Sequence, residues 1–162
     1  MPFSLFNTVV SWMLKKRIHQ IELFMKYPHE VQNEVLKKLV NQSKDTFIGK
    51  QYDFKSINSY KDFSERVPAR TYEEFFDYVD RTIKGEQNVF CSENIKWFAQ
   101  SSGTTNSKSK FIPVSNSALE DCHFKAGKDM LCLYINNNEN SNIFSGKSLR
   151  LGGSRKIYEN NN

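Results

Sequence analysis

The sequence predicts a mixed α/β fold in which a helical layer, residues 1–90, precedes the first strands and helix of a sheet, residues 91–162. Three observations support this prediction. Apolar residues recur with a helical period through the first half of the chain. Two short apolar runs then lie on either side of a polar loop, as two strands would. Apolar residues make up 38% of the 162 residues, and 13 of them are Phe, so the core of one domain can form.

Charge and cysteine content exclude several classes of protein. Lys and Arg number 23 and Asp and Glu number 18, so the net charge is +5, which permits a phosphate-bearing ligand without requiring a nucleic acid. The three cysteines, Cys91, Cys122 and Cys132, form no CxxC pair. We therefore predict buried free thiols, with neither a disulfide framework nor a zinc site. The first charged residues follow the opening apolar stretch, whereas in a secretory signal they precede it. No apolar run is long enough to span a bilayer. We expect a cytoplasmic protein that binds neither nucleic acid nor membrane.

The first elements of the chain are predicted to be helices. One apolar face of the first helix, at helical spacing, consists of Leu14, Ile18, Ile21 and Met25. Pro28 is a typical first residue for the second helix. The apolar stripe of that helix consists of Val31, Val35, Leu36, Leu39 and Val40. The period is lost over residues 46–54, where Gly49 indicates a turn, and a short helix begins at Ser59.

The clearest helix follows Pro68. Thr71 and Glu74 form a capping box, in which each side chain satisfies a backbone N–H of the first turn. Gly85 is placed to end this helix. Its apolar residues, which we interpret as core rather than as a ligand-binding surface, are Tyr72, Phe75, Phe76, Val79 and Ile83.

Two strands are predicted after residue 90. The first, residues 95–100 (IKWFAQ), is expected to pack through Trp97 and Phe98. The second begins at Phe111 and is closed by Pro113. Both are short, so the sheet is predicted to need further strands to close.

A further helix is predicted over residues 118–133, because Ser117 and Glu120 form a second capping box. The asparagine-rich stretch 136–142 (NNNENSN) predicts a loop. Residues 148–151 are predicted to form one more strand.

The polar loop SSGTTNSKSK (101–110) is the stretch whose composition indicates chemistry. Gly103 allows a tight turn and a close approach of the backbone to a ligand, and successive backbone N–H groups in such a turn can hold an anion. Lys108 and Lys110 add positive charge. Hydroxyl donors for phosphate oxygens come from Ser101, Ser102, Thr104 and Thr105. Composition alone favours a solvated turn, and the Walker A and Rossmann patterns are absent.

Residues 101–113 (SSGTTNSKSKFIP) resemble the first phosphate-binding motif of the adenylate-forming superfamily, which includes acyl-CoA synthetases and luciferases. The version ending in Lys-Phe-Ile-Pro resembles the auxin-responsive-promoter family of acyl acid amido synthetases, in particular its bacterial members. Residues 63–90 (FSERVPARTYEEFFDYVDRTIKGEQNVF) and 46–52 (TFIGKQY) are similar to segments of the same family. The loop departs from many superfamily members, which carry another glycine where this chain has Asn106 and Ser107.

This resemblance implies a ligase that forms an acyl-adenylate from ATP and an acyl acid, and then an amide with an amino acid. For ATP binding it implies Ser101, Ser102, Gly103, Thr104, Thr105 and Lys110. Lys110 matches the family's lysine before the returning strand, so we prefer it to Lys108 for charge neutralisation. The family's Mg²⁺-binding carboxylate and its later motifs have no counterpart here, so no catalytic or metal-binding residue is assigned.

The resemblance also implies that residues 1–162 are the N-terminal portion of one adenylate-forming domain, apparently truncated. A truncated sheet has unpaired edges, so we expect the isolated chain to be poorly stable or self-associating.

Two alternatives to the enzyme stay open. One is a non-catalytic helical binding or regulatory module, because the basic triplet Lys15, Lys16 and Arg17 beside Trp12 could rest on a membrane or an acidic partner. The other is a degenerate remnant that binds a nucleotide weakly or not at all. The three histidines have no metal-ligand spacing and are given no role.

Overall fold

The structure, a computed structural model, describes residues 2–101, 109–138, 141, 143–144, 147 and 149, and only the backbone of residues 2–7, 11, 13 and 15. Five helices come first in this part of the chain: α1 (Pro2–Lys26), α2 (Pro28–Ser43), α3 (Phe47–Gln51), α4 (Tyr60–Arg66) and α5 (Tyr72–Ile83). They are followed by β1 (Trp97–Gln100), β2 (Phe111–Val114) and α6 (Lys125–Asn137). The strands form an antiparallel two-stranded sheet. The predicted mixed fold is therefore confirmed as helix-rich with a small sheet.

Helices α1 and α6 pack against each other through an apolar cluster. Its buried members are Leu14, Ile18, Cys132 and Ile135, with Val10 and Ile21 packed against them. The predicted apolar face of α1 is confirmed at Leu14, Ile18 and Ile21. Met25 was assigned to the same face but is exposed, because the cluster formed with α6 extends only as far as Ile21.

An ion pair joins the same two helices beside this cluster. Arg17 Nε lies 2.7 Å from Asp129 Oδ1, and Arg17 Nη2 donates to Asp129 Oδ2 over 3.0 Å. The two side chains are 11% and 24% exposed, so the bidentate pair is only partly screened by water. The guanidinium donates to the carboxylate, and this hydrogen bond lowers the pKa of Asp129 although burial opposes the shift.

Asp129→Asn is expected to reduce the free energy of unfolding by about 1–2 kcal/mol at neutral pH, because a charge-assisted hydrogen bond is lost. The pKa of Asp129 is lower in the folded chain than in the unfolded chain. The contribution is therefore present above about pH 4, the ordinary Asp pKa, and is lost as pH falls through the folded-state pKa. Urea unfolding of both proteins from pH 7 to pH 2 should show their stabilities converge in acid. A pH-independent difference would contradict this assignment.

Helix α2 contributes Val40 to a second buried cluster, with Phe54 and Ile57. Phe54 belongs to a 3₁₀ turn that follows α3, and partly buried Leu36 packs against the cluster. Val35 and Leu39 were predicted to share this apolar stripe, but both are exposed. The stripe is narrower than predicted because α3 and the 3₁₀ turn cover only the side of α2 that carries Leu36 and Val40.

The start of α3 is a tight, buried junction. The Thr46 hydroxyl donates to the Ser43 carbonyl over 2.6 Å and accepts the Gly49 N–H over 2.9 Å, and Thr46 is fully buried. Gly49 was predicted to mark a turn, but it lies inside α3 and is buried. A Cβ at Gly49 would lie 1.9 Å from the Ser43 carbonyl oxygen. The glycine is therefore required for close backbone approach rather than for a turn.

Both predicted helix starts at α4 and α5 are confirmed. Ser59 caps α4 through a capping box with Asp62. Thr71 caps α5: its hydroxyl accepts the Glu74 N–H over 3.3 Å, and the Glu74 carboxylate accepts the Thr71 N–H over 2.7 Å. This backbone hydrogen bond lowers the pKa of Glu74. Gly85 follows the C-cap with a φ of 93°, as predicted for the residue that ends the helix.

The hairpin formed by β1 and β2 pairs Trp97 with Val114 and Gln100 with Phe111. Pro113 was predicted to close β2, but it lies within the strand, opposite Phe98. Trp97 was expected to pack, yet it is 56% exposed, because no described element covers its face of the hairpin; Phe98 is half-buried.

The helix after β2 begins earlier than predicted. Ser115, not Ser117, is the cap: its hydroxyl accepts the Ala118 N–H over 3.1 Å. The Ser117 N–H instead donates to the Glu93 carboxylate over 3.1 Å, and the Ser117 side chain makes no capping bond. The predicted Ser117–Glu120 capping box is therefore wrong. A π-helical segment, Ala118–Phe124, leads into α6, which ends at Asn137 rather than at residue 133.

The three cysteines are free thiols. Cys132 is buried and Cys91 is partly buried, but Cys122 is exposed, so the prediction of a buried thiol is wrong there. Cys122 lies in the π-helical segment, whose side chains are largely solvent-facing. The predicted strand 148–151 lies outside the described residues except for Leu149. Among the helices described, none is both long enough and apolar enough to cross a membrane.

Candidate phosphate-binding site

The structure brings together the two ends of the polar loop predicted to bind phosphate. The Ser101 N–H donates to the Lys110 carbonyl over 3.0 Å, and the Ser101 hydroxyl accepts the Lys110 N–H over 3.1 Å. We call this pair of residues the loop neck. Four other predicted ligands lie outside the described residues: Ser102, Gly103, Thr104 and Thr105.

The hydrogen bonds of the loop neck fix the direction of the next backbone groups. In an antiparallel ladder, hydrogen-bonded pairs alternate with pairs that make no hydrogen bonds to each other. Because Ser101 and Lys110 are bonded, Gln100 and Phe111 form the next, non-bonded pair. The N–H and C=O of Phe111 therefore face away from β1. Pro113 has the same orientation, so its missing N–H costs no bond to β1.

The outward-facing groups of Phe111 are satisfied by one side chain of α5. The Tyr72 hydroxyl accepts the Phe111 N–H over 2.9 Å and lies 3.2 Å from the Phe111 carbonyl oxygen, to which it donates. Tyr72 was predicted only as a core residue, so sequence reasoning missed this contact. The capping box located Tyr72 on the first turn of α5, but no local pattern indicates that β2 lies opposite.

Lys110 also contacts the first turn of α5. Its Nζ lies 3.6 Å from Glu73 Oε1 and 5.0 Å from the centre of the Tyr72 ring. The Lys110 side chain is 39% exposed, so its ammonium can still be reached by a ligand. One carboxylate and one aromatic face hold this charge at the loop neck.

A second cation lies next to the first turn of α5. Arg70 Nη2 donates to the Tyr52 hydroxyl over 2.5 Å and Nη1 to the Tyr78 hydroxyl over 3.3 Å. These residues and Tyr72 line a cavity of about 290 Å³. Within the described part of the chain, no carboxylate forms an ion pair with Arg70. Arg70 and Lys110 thus place two positive charges near Tyr72, where Glu73 and Glu74 of the same helical turn supply two negative charges.

No group of three or more His, Cys, Asp or Glu side chains that could hold a metal ion occurs among the described residues.

A known family profile matches most of the chain. Residues 17–161 match the profile of the GH3 family N-terminal domain. The chain belongs to the GH3 family. The resemblance to acyl acid amido synthetases is thereby confirmed at the level of the family, whereas membership of a bacterial branch stays a prediction.

Plant synthetases are among the curated relatives of this chain. Indole-3-acetic acid-amido synthetase GH3.2 of Arabidopsis thaliana is 28% identical over 106 residues, which are 65% of this chain and 19% of the relative. Jasmonoyl–L-amino acid synthetase JAR6 of Nicotiana attenuata is 27% identical over 107 residues, 65% of this chain and 18% of the relative. The chain thus spans about a fifth of the length of the GH3 relatives that it matches.

Solved GH3 structures share the fold. A GH3.15 acyl acid amido synthetase superposes with a TM-score of 0.65 at 24% identity, over 76% of this chain and 22% of that one. AtGH3.15 acyl acid amido synthetase in complex with 2,4-DB gives a TM-score of 0.58 at 25% identity, over 66% and 19%. The helix-rich arrangement with a small sheet is therefore that of the matching part of a GH3 synthetase.

Proposed function

We propose that this chain is the N-terminal part of an acyl acid amido synthetase that uses ATP. In the proposed reaction, an oxygen of the acyl acid carboxylate attacks the α-phosphorus of ATP, and the bond to pyrophosphate breaks. The amine of an amino acid then attacks the acyl carbon of the acyl-adenylate. The bond to AMP breaks, AMP leaves with the electron pair, and the amine loses a proton to solvent. Membership of the GH3 family and the names of its relatives support this proposal.

We propose that the polar loop holds the β- and γ-phosphates while pyrophosphate leaves. The residues assigned to this role are Ser101, Ser102, Gly103, Thr104, Thr105 and Lys110. The loop neck is the observation that carries the assignment. The Ser101 hydroxyl accepts the Lys110 N–H, so its own proton stays available for a phosphate oxygen. The Lys110 ammonium is anchored beside it, and positioned positive charge is what a phosphate-centred reaction requires.

The test is ATP–pyrophosphate exchange by the full-length protein with a panel of acyl acids. Label from pyrophosphate is expected to enter ATP only when an acyl acid is present, since adenylation is reversible. Addition of amino acids should then identify the acceptor by the amide formed. ATP-independent amide formation, or no exchange with any acyl acid although ATP binds, would reject the proposal. We further propose a cytoplasmic location, with small acyl and amino acids as partners and neither nucleic acid nor membrane.

The alternative of a helical binding module depended on the basic triplet of α1. Arg17, one of the three basic residues, forms an ion pair with Asp129 of α6, so its charge is already neutralised within the fold. Lys16 Nζ lies 3.8 Å from the centre of the Trp12 ring. The triplet thus offers less free charge than the sequence indicates, and the enzyme proposal is favoured over the module.

Glu73→Gln is expected to strengthen ATP binding about twofold to fivefold, because the carboxylate competes with phosphate for the Lys110 ammonium and exposed pairs of this kind are weak. Titration of the full-length protein with ATP at low and moderate ionic strength measures the change, which should shrink as salt rises. Glu65→Gln on α4 is the matched control, since it changes the net charge equally without contacting Lys110. Weaker binding by Glu73→Gln would show that Glu73 supports the site instead.

A further inference from the structure

We propose that Tyr72 is the positioning residue of Lys110 at the loop neck, acting through Phe111. This inference rests on the proposed function, because it assigns Tyr72 a role in the binding of the same nucleotide. Tyr72 is not itself placed against the phosphates. Its proposed role is to fix the backbone from which Lys110 projects.

The first step is that α5 provides a fixed support. Its N-terminus is held by the reciprocal bonds of Thr71 and Glu74, and Val79, one of its middle residues, is 1% exposed. Tyr72, at the first position of the helix, therefore projects from a backbone that capping and core packing both hold in place. A side chain on such an element can define a position better than one on a loop.

The second step is the bond pattern at Phe111. Its N–H and C=O face the open edge of β2, where another strand would otherwise pair with them. The single Tyr72 hydroxyl satisfies both groups, at 2.9 Å and 3.2 Å. One side chain therefore replaces a two-bond strand pairing at this residue. A shift of β2 by one residue would present side chains to the opposite faces and would break both bonds.

The third step links this anchor to the charge. Lys110 immediately precedes Phe111, and its N–H and C=O are bonded to Ser101 on the other side of the loop neck. Two contacts thus hold the backbone of Lys110. Ser101, which directly follows β1, bonds to it on one side, and Tyr72 of α5 bonds to its neighbour Phe111 on the other. The Tyr72 ring also lies 5.0 Å from Lys110 Nζ. The hydroxyl and the ring of one residue therefore set where the ammonium lies.

Tyr72→Phe separates these contributions, because it keeps the ring and removes both bonds to Phe111. In the full-length protein we expect the Kd for ATP to rise about fivefold to tenfold, the size expected for two lost hydrogen bonds of ordinary strength. Amide hydrogen exchange at Phe111 should accelerate, because its N–H loses its acceptor. Thr82→Val on the same helix is the matched control: it removes the hydrogen bond from the Thr82 hydroxyl to the Tyr78 carbonyl and leaves Phe111 and Lys110 unchanged, so ATP affinity should not change.

The outcomes separate the two proposals. If the unsubstituted protein does not bind ATP, the proposed function fails and the role of Tyr72 fails with it. If it binds ATP and Tyr72→Phe binds equally well, only the positioning role is overturned. Equal weakening by Thr82→Val also overturns it, because the cause is then a general loosening of α5. If Tyr72→Phe does not fold, Phe111→Pro is the second variant. Proline removes the Phe111 N–H that the Tyr72 hydroxyl accepts, and this N–H makes no hydrogen bond to β1. Unchanged ATP affinity in that variant would overturn the role.

Discussion

Gly49→Ala is expected to lower the free energy of unfolding of this domain by about 3 kcal/mol, the upper end of the range for overpacking a buried site. The new Cβ would lie 1.9 Å from the Ser43 carbonyl oxygen and 2.9 Å from the carbonyl carbons of Ser43 and Lys44. All three are backbone atoms, so no side-chain rotation relieves the clash. The chain between α2 and α3 has to move.

That movement would also break polar contacts that water cannot replace. The Ser43 carbonyl accepts both the hydroxyl and the N–H of Thr46, at 2.6 Å and 3.1 Å, and Thr46 is fully buried. A buried group that loses its partner bears its full desolvation penalty. The clash and the lost bonds act on the same few residues, so we expect their effects to be coupled rather than additive.

Urea unfolding followed by circular dichroism measures the change, and Gly127→Ala in α6 is the matched control. A Cβ at Gly127 meets no atom within 4 Å, so alanine there should stabilise the helix by about 0.5–1 kcal/mol. The two glycine substitutions are thus expected to shift stability in opposite directions. If the free energy of unfolding of Gly49→Ala is within about 1 kcal/mol of that of the unsubstituted protein, α2 and α3 separate more easily than this geometry implies.

Local patterns predicted the start of a helix where the two capping residues lie within one turn of each other. The predicted capping pair Thr71–Glu74 is of this kind, because a reciprocal cap needs only three residues of separation. The same pattern at Ser117 and Glu120 failed. Glu93, 24 residues earlier, accepts the Ser117 N–H, and the sequence contains no signal of that distant contact.

Apolar periodicity predicted which side of a helix is buried but not the extent of burial. Ile18 and Val40 are buried as predicted, whereas Met25 and Leu39 are exposed. The period of a helix is a property of its own residues, and burial depends on where its partner begins and ends. Only the packing of α6 on α1, and of the 3₁₀ turn on α2, determines those limits.

The candidate site likewise combines features that the local sequence predicts with features that only the fold determines. The composition of residues 101–110 and their resemblance to a phosphate-binding motif predict a phosphate-binding loop, and this stays a prediction. The contact of Tyr72 with Phe111 joins residues 39 positions apart. The requirement for glycine at position 49 also depends on the fold, because the Ser43 carbonyl lies where any Cβ at position 49 would be. A pattern of consecutive residues can suggest a site from sequence alone, whereas contacts between distant residues are visible only in the fold.

Lys110→Ala is expected to weaken the use of ATP by the full-length protein about 10- to 100-fold, because one charge-assisted phosphate contact of about 1.5–3 kcal/mol is lost. Lys110 is the lysine held at the loop neck, by Ser101 through its backbone and by the Tyr72 ring, which lies 5.0 Å from its ammonium. A cation that is already positioned loses less conformational entropy when it contacts a phosphate. Removing it should therefore cost more than removing a lysine elsewhere in the loop.

Lys108→Ala is the matched control, since it removes the same charge from the same loop. ATP–pyrophosphate exchange at several ATP concentrations measures both variants, and we expect Lys110→Ala to lose more activity than Lys108→Ala. Part of any common loss reflects the reduced positive charge of the loop and should diminish as ionic strength rises. The loss specific to Lys110 should persist, because a direct contact is screened less than a distant charge. Equal losses at every salt concentration would show that the loop attracts phosphate by its net charge, with neither lysine making a specific contact.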